Sequence, residues 1–368
     1  MQNVKNKTNE QKQIAIVPSI GHDFESMFIE KNTFFSSGEG RNPICIVREI
    51  LETKGINLVD ATKMQQLSKG NVVLFFGNID VKLLSKFKDF INVYIAFEPP
   101  AVDITHEEKN LVYLKKYFDY ILSWNDDLVD GDMFIKFNYC VDFFKYSPLT
   151  SFENKNLLTN ISGKKQSKHP DELYSKRLEV INYFEEHSKQ DFEFWGTGWD
   201  NREHKNYRGM SSSKADIYKN YRFAICFENQ KNLNGYVTEK IWDCFICKVV
   251  PIYWGASNIE QYIPRGCYVN YCDFENIDSL ITYLKGVTKE EYLNYIENIE
   301  NFLNSNKIDE FKGAAFSDTI VGLLENKKKT QVNHIRIIFL ELFKARMRIA
   351  NSIQTHGYTG IIKKIFKK

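Results

Sequence analysis

At 368 residues the chain is too long for one ordinary hydrophobic core and suits two domains, and its 43% hydrophobic content is that of a globular protein. A net charge of only +2 argues against a nucleic-acid binder, the seven cysteines form no even disulfide framework, and no apolar stretch is long enough to span a bilayer. The opening MQNVKNKTNEQKQ is polar and lacks the apolar core of a secretion signal, so the expected compartment is the cytoplasm, where free thiols persist.

In chain order, IAIV (14–17) reads as a buried strand and NPICIVREILETKG (42–55) as a helix closed by glycine. NVVLFFG (71–77), NVYIAF (92–97), YILSW (120–124) and MFIKF (133–137) are further strands, with helical stretches such as VKLLSKFKDF between them. Continuous apolar strands alternating with helices predict a parallel sheet covered on both faces. FFKYSPLTSFENK (143–155) interrupts this pattern and marks a domain junction. The alternation then restarts: NLLTNIS, a helix through DELYSKRLEVINYFEEHSK, FEFWG, YRFAICFE, a helix from about Thr238, and VVPIYWG. The expected layout is a doubly wound α/β domain over 1–150, a second over 151–330, and a separate tail over 331–368. Ligands of such domains sit at the carboxyl ends of the strands, so the cleft between the two is the expected site.

The segment Tyr221–Ala256 carries most of the chemistry. FAICF delivers Glu228 and Asn229 at a strand end, a polar loop with an Asn-Gly turn follows, and Thr238 is placed to cap a helix. Ile241, Trp242, Phe245, Ile246 and Val249 form its apolar face, leaving Glu239 and Lys240 in the first turn, off the stripe. A lysine there opposes the helix dipole unless an anion lies close. The unit therefore reads as a phosphate site, or else as a surface helix with a solvated lysine. Cys244 and Cys247 form a C-x-x-C inside the apolar pattern, with no second pair at zinc spacing, and read as reduced core thiols.

The run FAICFENQ…GYVTEKIWD…VVPIYWGASNIEQYIP…YVNYCDF, dense from Tyr221 to Phe274, resembles the donor-binding signature of the α1,3/4-fucosyltransferases, glycosyltransferase family 10. The resemblance implies a GT-B fold of two Rossmann-like domains, GDP-fucose as donor, and transfer with inversion. It implies that Lys240 binds the diphosphate, that Glu239 lies by the fucose and ribose as a catalytic candidate, and that Asn229 and Tyr236 belong to the donor pocket. Arg177, in YSKRLEV, matches a second diphosphate ligand. The helical pattern alone places Leu173, Leu178, Ile181 and Phe184 toward the core and leaves Arg177 free. Lys248 stands where many family members carry glycine.

An attacking hydroxyl must lose its proton, so inverting transfer needs a carboxylate on the acceptor side of the cleft. Glu98 ends the apolar strand of NVYIAFEPPA, where Pro99 and Pro100 stop the chain, and is similar to the family's acceptor-side element. Read alone, it is either that base or a strand-end glutamate capping a neighbouring helix. Asp126 and Asp127 are the next candidates, whereas Glu107 and Glu108 start a solvated helix. Charge on the leaving diphosphate falls to Arg177, Lys240 and helix N–H groups. No bound metal is expected, although Mn or Mg could stimulate product release. His22 shapes a loop or faces the cleft; Trp195 and Trp199 either touch the nucleotide or pack beneath a loop.

The chain closes on GIIKKIFKK, with Ile361, Ile362, Ile365 and Phe366 on one helical face and Lys363, Lys364, Lys367 and Lys368 on the other. From His334 onward eight Lys and Arg stand against one acid, a charge of +7 that leaves −5 for the rest. Such a tail either contacts anionic lipid peripherally, on the inner face of the membrane, or packs on the body. The expected acceptor is a GlcNAc or Glc hydroxyl of a galactose-containing glycan, Lewis-type or lipopolysaccharide, joined in α1,3 or α1,4 linkage. A same-fold transferase for another nucleotide sugar and a non-catalytic glycan- or membrane-binding protein are the rival readings.

Overall fold

The computed structural model describes residues 12–29, 42–64, 72–141, 148–187, 189–210, 213–326 and 330–365, with side chains as far as Gly357. Two wholly parallel sheets organise it. The first contains β1 (Lys12–Val17), β2 (Ile56–Asp60), β3 (Val72–Phe76), β4 (Ile91–Ala96), β5 (Tyr120–Ser123) and β6 (Phe134–Lys136), in the order β2-β1-β3-β4-β5-β6. The second contains β7 (Asn156–Ile161), β8 (Phe192–Trp195), β9 (Tyr221–Phe227), β10 (Val250–Trp254) and β11 (Val269–Asn270), in the order β11-β10-β9-β7-β8. Residues 71 and 143–147, at the edge of one expected strand and within the expected junction, lie outside the described residues.

Strands β3 and β4 are buried at every position, as their unbroken apolar runs require in a sheet covered on both faces. Strand β2 was not anticipated. It is an edge strand with alternating, half-buried residues, so its apolar signal is weak. In each sheet the strand order reverses once, between β1 and β3 and between β7 and β9. Such switch points open a crevice at the carboxyl ends of the strands.

The C-terminal third crosses back to the first sheet. Phe316, Ile320 and Leu323 of the Gly313–Leu324 helix pack with Ile44, Val47 and Leu51, although they fall inside the stretch expected to be the second domain. The helix His334–Ile365, broken at Gly357 (φ 68°), covers the other face with Leu340, Phe343 and Met347. The segment from 334 is therefore not a separate feature over its first two-thirds. Those three apolar residues recur at i, i+3 and i+7 and form a face of their own. The side chains of Ile361, Ile362, Lys363, Lys364 and Ile365 and the whole of Phe366, Lys367 and Lys368 lie outside the described residues.

The domains are also stitched by the loop between β9 and the helix Glu239–Ile246. Asn234 accepts from Asp126 N through its carbonyl at 3.2 Å and donates from Nδ2 to Asp127 Oδ1 at 2.9 Å. Asp126 further pairs with Lys136 and accepts from Tyr262 and Asn258. Tyr236, a second-domain residue by sequence, sits in the first domain's core at 4.7 Å from the Trp124 ring. The Glu239–Ile246 helix ends in a reversal with Val249 N bonded to Cys244 O and with Lys248 at φ 53°, a left-handed position that favours glycine.

Candidate active site

The carboxyl ends of β4, β7 and β9 enclose a cavity of ≈ 340 Å³. Its walls include Glu98 from the first domain and Arg177, Asn229, Tyr236, Glu239 and Lys240 from the second. All six residues expected at the site thus meet in one space, although they come from three separated parts of the chain.

Lys240 is held from below. Glu228, fully buried at the end of β9, accepts from Thr238 N at 2.9 Å and from Thr238 Oγ1 at 2.7 Å. Its Oε2 lies 3.1 Å from Lys240 Nζ, which also reaches Thr238 Oγ1 at 2.9 Å and Glu239 Oε1 at 3.4 Å. Thr238 occupies the N-cap position but makes no side-chain cap bond; its own N–H and hydroxyl donate instead to the Glu228 carboxylate of the preceding strand. Burial alone would lower the Lys240 pKa, but Glu228 and Glu239 overcome it and push it up. The anion that makes a first-turn lysine tolerable is thus partly built into the chain.

Arg177 lies on the core face of the helix Tyr174–His187 and is buried, not solvated. Leu178, expected inside, is the exposed neighbour. Positions 173, 177, 181 and 184 share one face, and the guanidinium meets acceptors there. Its Nη2 donates to Phe227 O at 2.6 Å, Glu228 O at 2.7 Å and Asn229 Oδ1 at 3.2 Å. Nε and Nη1 have no partner among the described residues and remain available to the cavity.

The two expected catalytic carboxylates are tuned apart. Burial pushes the Glu98 pKa up, against the pull of Lys240 and Lys165, with Glu239 adding to the rise. At Glu239 burial also opposes ionisation, but Lys240 and Lys214 hold its pKa at about 2. One carboxylate is poised to take a proton while its neighbour stays charged. The Glu98 carbonyl accepts from His106 Nδ1 at 2.6 Å, which fixes the backbone behind the carboxylate.

Asp126 and Asp127, the next candidate bases, do not line the cavity; both are engaged in the interdomain joint described above. Glu107 lies 3.5 Å from His169 Nε2, and Glu108 opens the helix Glu108–Leu114. His22 is outside the cavity. Trp195, at the end of β8, packs on Tyr221 of β9, and Trp199 donates to Ser162 O at 2.6 Å and so supports a loop; neither lines the cavity. Cys244 and Cys247 are buried in the second domain's core. Sequence reasoning did not assign Lys214, Lys165 or Tyr139 to the site. Lys214 pairs with the buried Asp243, and the Tyr139 hydroxyl donates to Phe97 O. Their partners are distant in sequence, so no local pattern announces them. Glu228 was visible at the strand end, but its partner was not. Among the described residues no group of three or more His, Cys, Asp or Glu is placed to hold a metal ion.

Residues 155–335 match the family model described as glycosyltransferase family 10 (fucosyltransferase), C-terminal. The second domain belongs to glycosyltransferase family 10. Within it lie Arg177, Asn229, Tyr236, Glu239 and Lys240. The alpha-(1,3)-fucosyltransferase FucT of Helicobacter pylori is 38% identical over 95 residues, 25% of this chain and 19% of that protein. The matched stretch thus spans about a fifth of that relative's length. The crystal structure of an alpha1,3-fucosyltransferase with GDP superposes with a TM-score of 0.55 at 17% identity, covering 90% of this chain and 96% of that one. Its GDP-fucose complex gives 0.52 at 17% identity over the same shares. The family 10 domain and its partner domain therefore adopt the GT-B fold.

Proposed function

We propose that this chain transfers L-fucose from GDP-fucose, with inversion at the anomeric carbon, to a GlcNAc or Glc hydroxyl of a galactose-containing glycan, in α1,3 or α1,4 linkage. The observation that carries the reading is the single cavity in which Arg177, Glu239 and Lys240 of the family 10 domain face Glu98 of the other domain. The acceptor hydroxyl gives its proton to Glu98 as its oxygen attacks the fucose carbon. The bond from that carbon to the diphosphate breaks, and its electron pair leaves with GDP. Arg177, Lys240 and the first N–H groups of the Glu239–Ile246 helix take up the developing charge. In this reading the oxygen attacks the face of the sugar opposite the departing diphosphate, and such a displacement inverts the anomeric carbon. Transfer in this reading rests on this chain's own cations and Mn or Mg would add only to GDP release, so chelation slows turnover without abolishing transfer.

The test is incubation with GDP-fucose and lactose, N-acetyllactosamine or its β1,3 isomer, with the linkage read by NMR. Neither transfer nor donor hydrolysis in any arm would overturn the reading. Transfer from a different nucleotide sugar alone would favour a same-fold enzyme of other specificity.

We also propose attachment to the cytoplasmic face of an anionic membrane, and a specific observation favours the peripheral contact. Ile335, Ile338, Phe339, Leu342 and Ile349 form one outward stripe of the C-terminal helix and are 55–66% exposed. The same helix carries Arg336, Lys344, Arg346 and Arg348 against a single acid, Glu341. An exposed apolar stripe on a basic helix suits the interface of an anionic bilayer. No helix among the described residues is long and apolar enough to cross a membrane.

A further inference from the structure

The proposed base sits on a loop held locally by His106 on the Glu98 carbonyl and by Val102 N and Asp103 N on the Pro99 carbonyl, and held again by residues far away in the chain. After β4 the backbone runs through Glu98, Pro99, Pro100 and Ala101. Two prolines remove two backbone donors, and nothing within the turn itself ties the Pro100 carbonyl. That carbonyl accepts from Gln354 Nε2 at 2.7 Å, from a buried side chain of the C-terminal helix. One turn earlier on the same helix, Asn351 makes a two-point contact: its Oδ1 accepts from Ile104 N and its Nδ2 donates to Asp103 Oδ1, both at 2.7 Å. The main chain of that helix reaches the opposite domain. Gln354 O accepts from Lys168 N at 3.0 Å, and Thr355 O accepts from Gln166 Nε2 at 3.2 Å. Residues 166–168 directly follow Ser162, Gly163 and Lys165, which line the cavity. Ser167 Oγ closes the circuit by donating to Ala101 O at 2.7 Å.

We propose that Gln354 and Asn351 are positioning residues that clamp the Glu98 loop and lock it in register with the cavity-lining loop of the family 10 domain. The proposal rests on the role assigned to Glu98 above. The contacts reach the base loop and leave Arg177 and Lys240 alone, so they set where the proton acceptor stands without touching the nucleotide subsite. A displacement of the base by about 1 Å lowers turnover up to about 100-fold. The C-terminal helix therefore serves catalysis through its inner polar residues, independently of what its outer face contacts.

The test uses the full chain carrying Gln354→Met, which keeps the length of the side chain and deletes its donor, and separately Asn351→Ala. GDP affinity is read by calorimetry, kcat by transfer, and local opening by amide exchange over residues 98–104. The expected result is a fall in kcat of about 10–100-fold with GDP affinity within about twofold of wild type, and faster exchange of the base loop. Gln354→Lys, which restores an N–H donor to the Pro100 carbonyl, recovers part of the loss. Near wild-type kcat in both deletion variants overturns the proposal, as does a parallel loss of GDP affinity and turnover, the mark of a merely structural helix. Should the wild-type chain transfer no sugar at all, the reading of function fails instead. The clamp is then judged by exchange alone: it stands if Gln354→Met opens residues 98–104 and falls if exchange is unchanged.

Discussion

Glu98 and Glu239 are carboxylates of one cavity with opposite electrostatics, and that contrast makes pH a direct probe. A base works ionised, so transfer is lost as pH falls through the Glu98 pKa, which burial raises above 4.5. Glu239 has a depressed pKa of about 2. Its contribution to stability is present above the unfolded value of 4.5 and fades only as pH falls toward 2. The kcat/KM profile should therefore show an acid limb above pH 4.5 while GDP binding stays flat across it. Glu98→Gln should retain donor binding and lose about 10²–10⁴-fold in turnover; a variant that turns over normally places the base elsewhere. Lys240 presents a different problem, because removing it strands the buried Glu228. Lys240→Ala should lose about 1.5–3 kcal/mol of GDP affinity and about 3 kcal/mol of stability, the cost of breaking a buried pair from one side. Adding Glu228→Gln should restore the stability and leave the affinity low. Urea melts and calorimetry separate the two, and a double variant as unstable as Lys240→Ala rejects the pairing.

Among the elements, the loop from Asn229 to Val237 does more than carry donor ligands. Gly235 has φ 80°, and a Cβ there would stand 2.3 Å from Trp124 O and 2.8 Å from Asp126 Oδ2. The loop can seat Tyr236 in the neighbouring domain only because that position has no side chain. Gly235→Ala should cost at least about 2 kcal/mol of stability and weaken GDP binding together, since strain and clash fall on one backbone. A melting temperature and a GDP affinity both at wild-type values would show that the loop yields freely. The same helix that follows this loop was largely legible beforehand: its apolar face repeats every turn and fixes which side is inward. Arg177 was not legible, because periodicity counts hydrophobicity and cannot register three acceptors waiting at the end of β9.

For the whole molecule, the C-terminal helix joins three surfaces: its inner apolar face on the first sheet, its polar turn on the base loop, and its outer stripe exposed. Attachment through that stripe predicts that Ile338→Glu together with Leu342→Glu reduces binding to anionic vesicles, most clearly at low salt, with transfer to a soluble disaccharide preserved. Undiminished vesicle binding would remove the stripe from the membrane and leave the last nine residues as the remaining candidate. Local sequence by itself determined the strands of both sheets except the half-exposed β2 and the two-residue β11, the parallel class, the family signature and the strand-end positions of Glu98 and Glu228. These follow from hydrophobic runs and turn residues, which act within one element. Only tertiary structure decided that Asp126 is consumed by a joint, that Glu228 neutralises Lys240, that Lys214 pairs with Asp243, and that the helices Gly313–Leu324 and His334–Ile365 return to cover the first sheet. Each of those depends on partners far apart in the chain, where a carboxylate's role is set by which charge folding brings against it in a place poor in water.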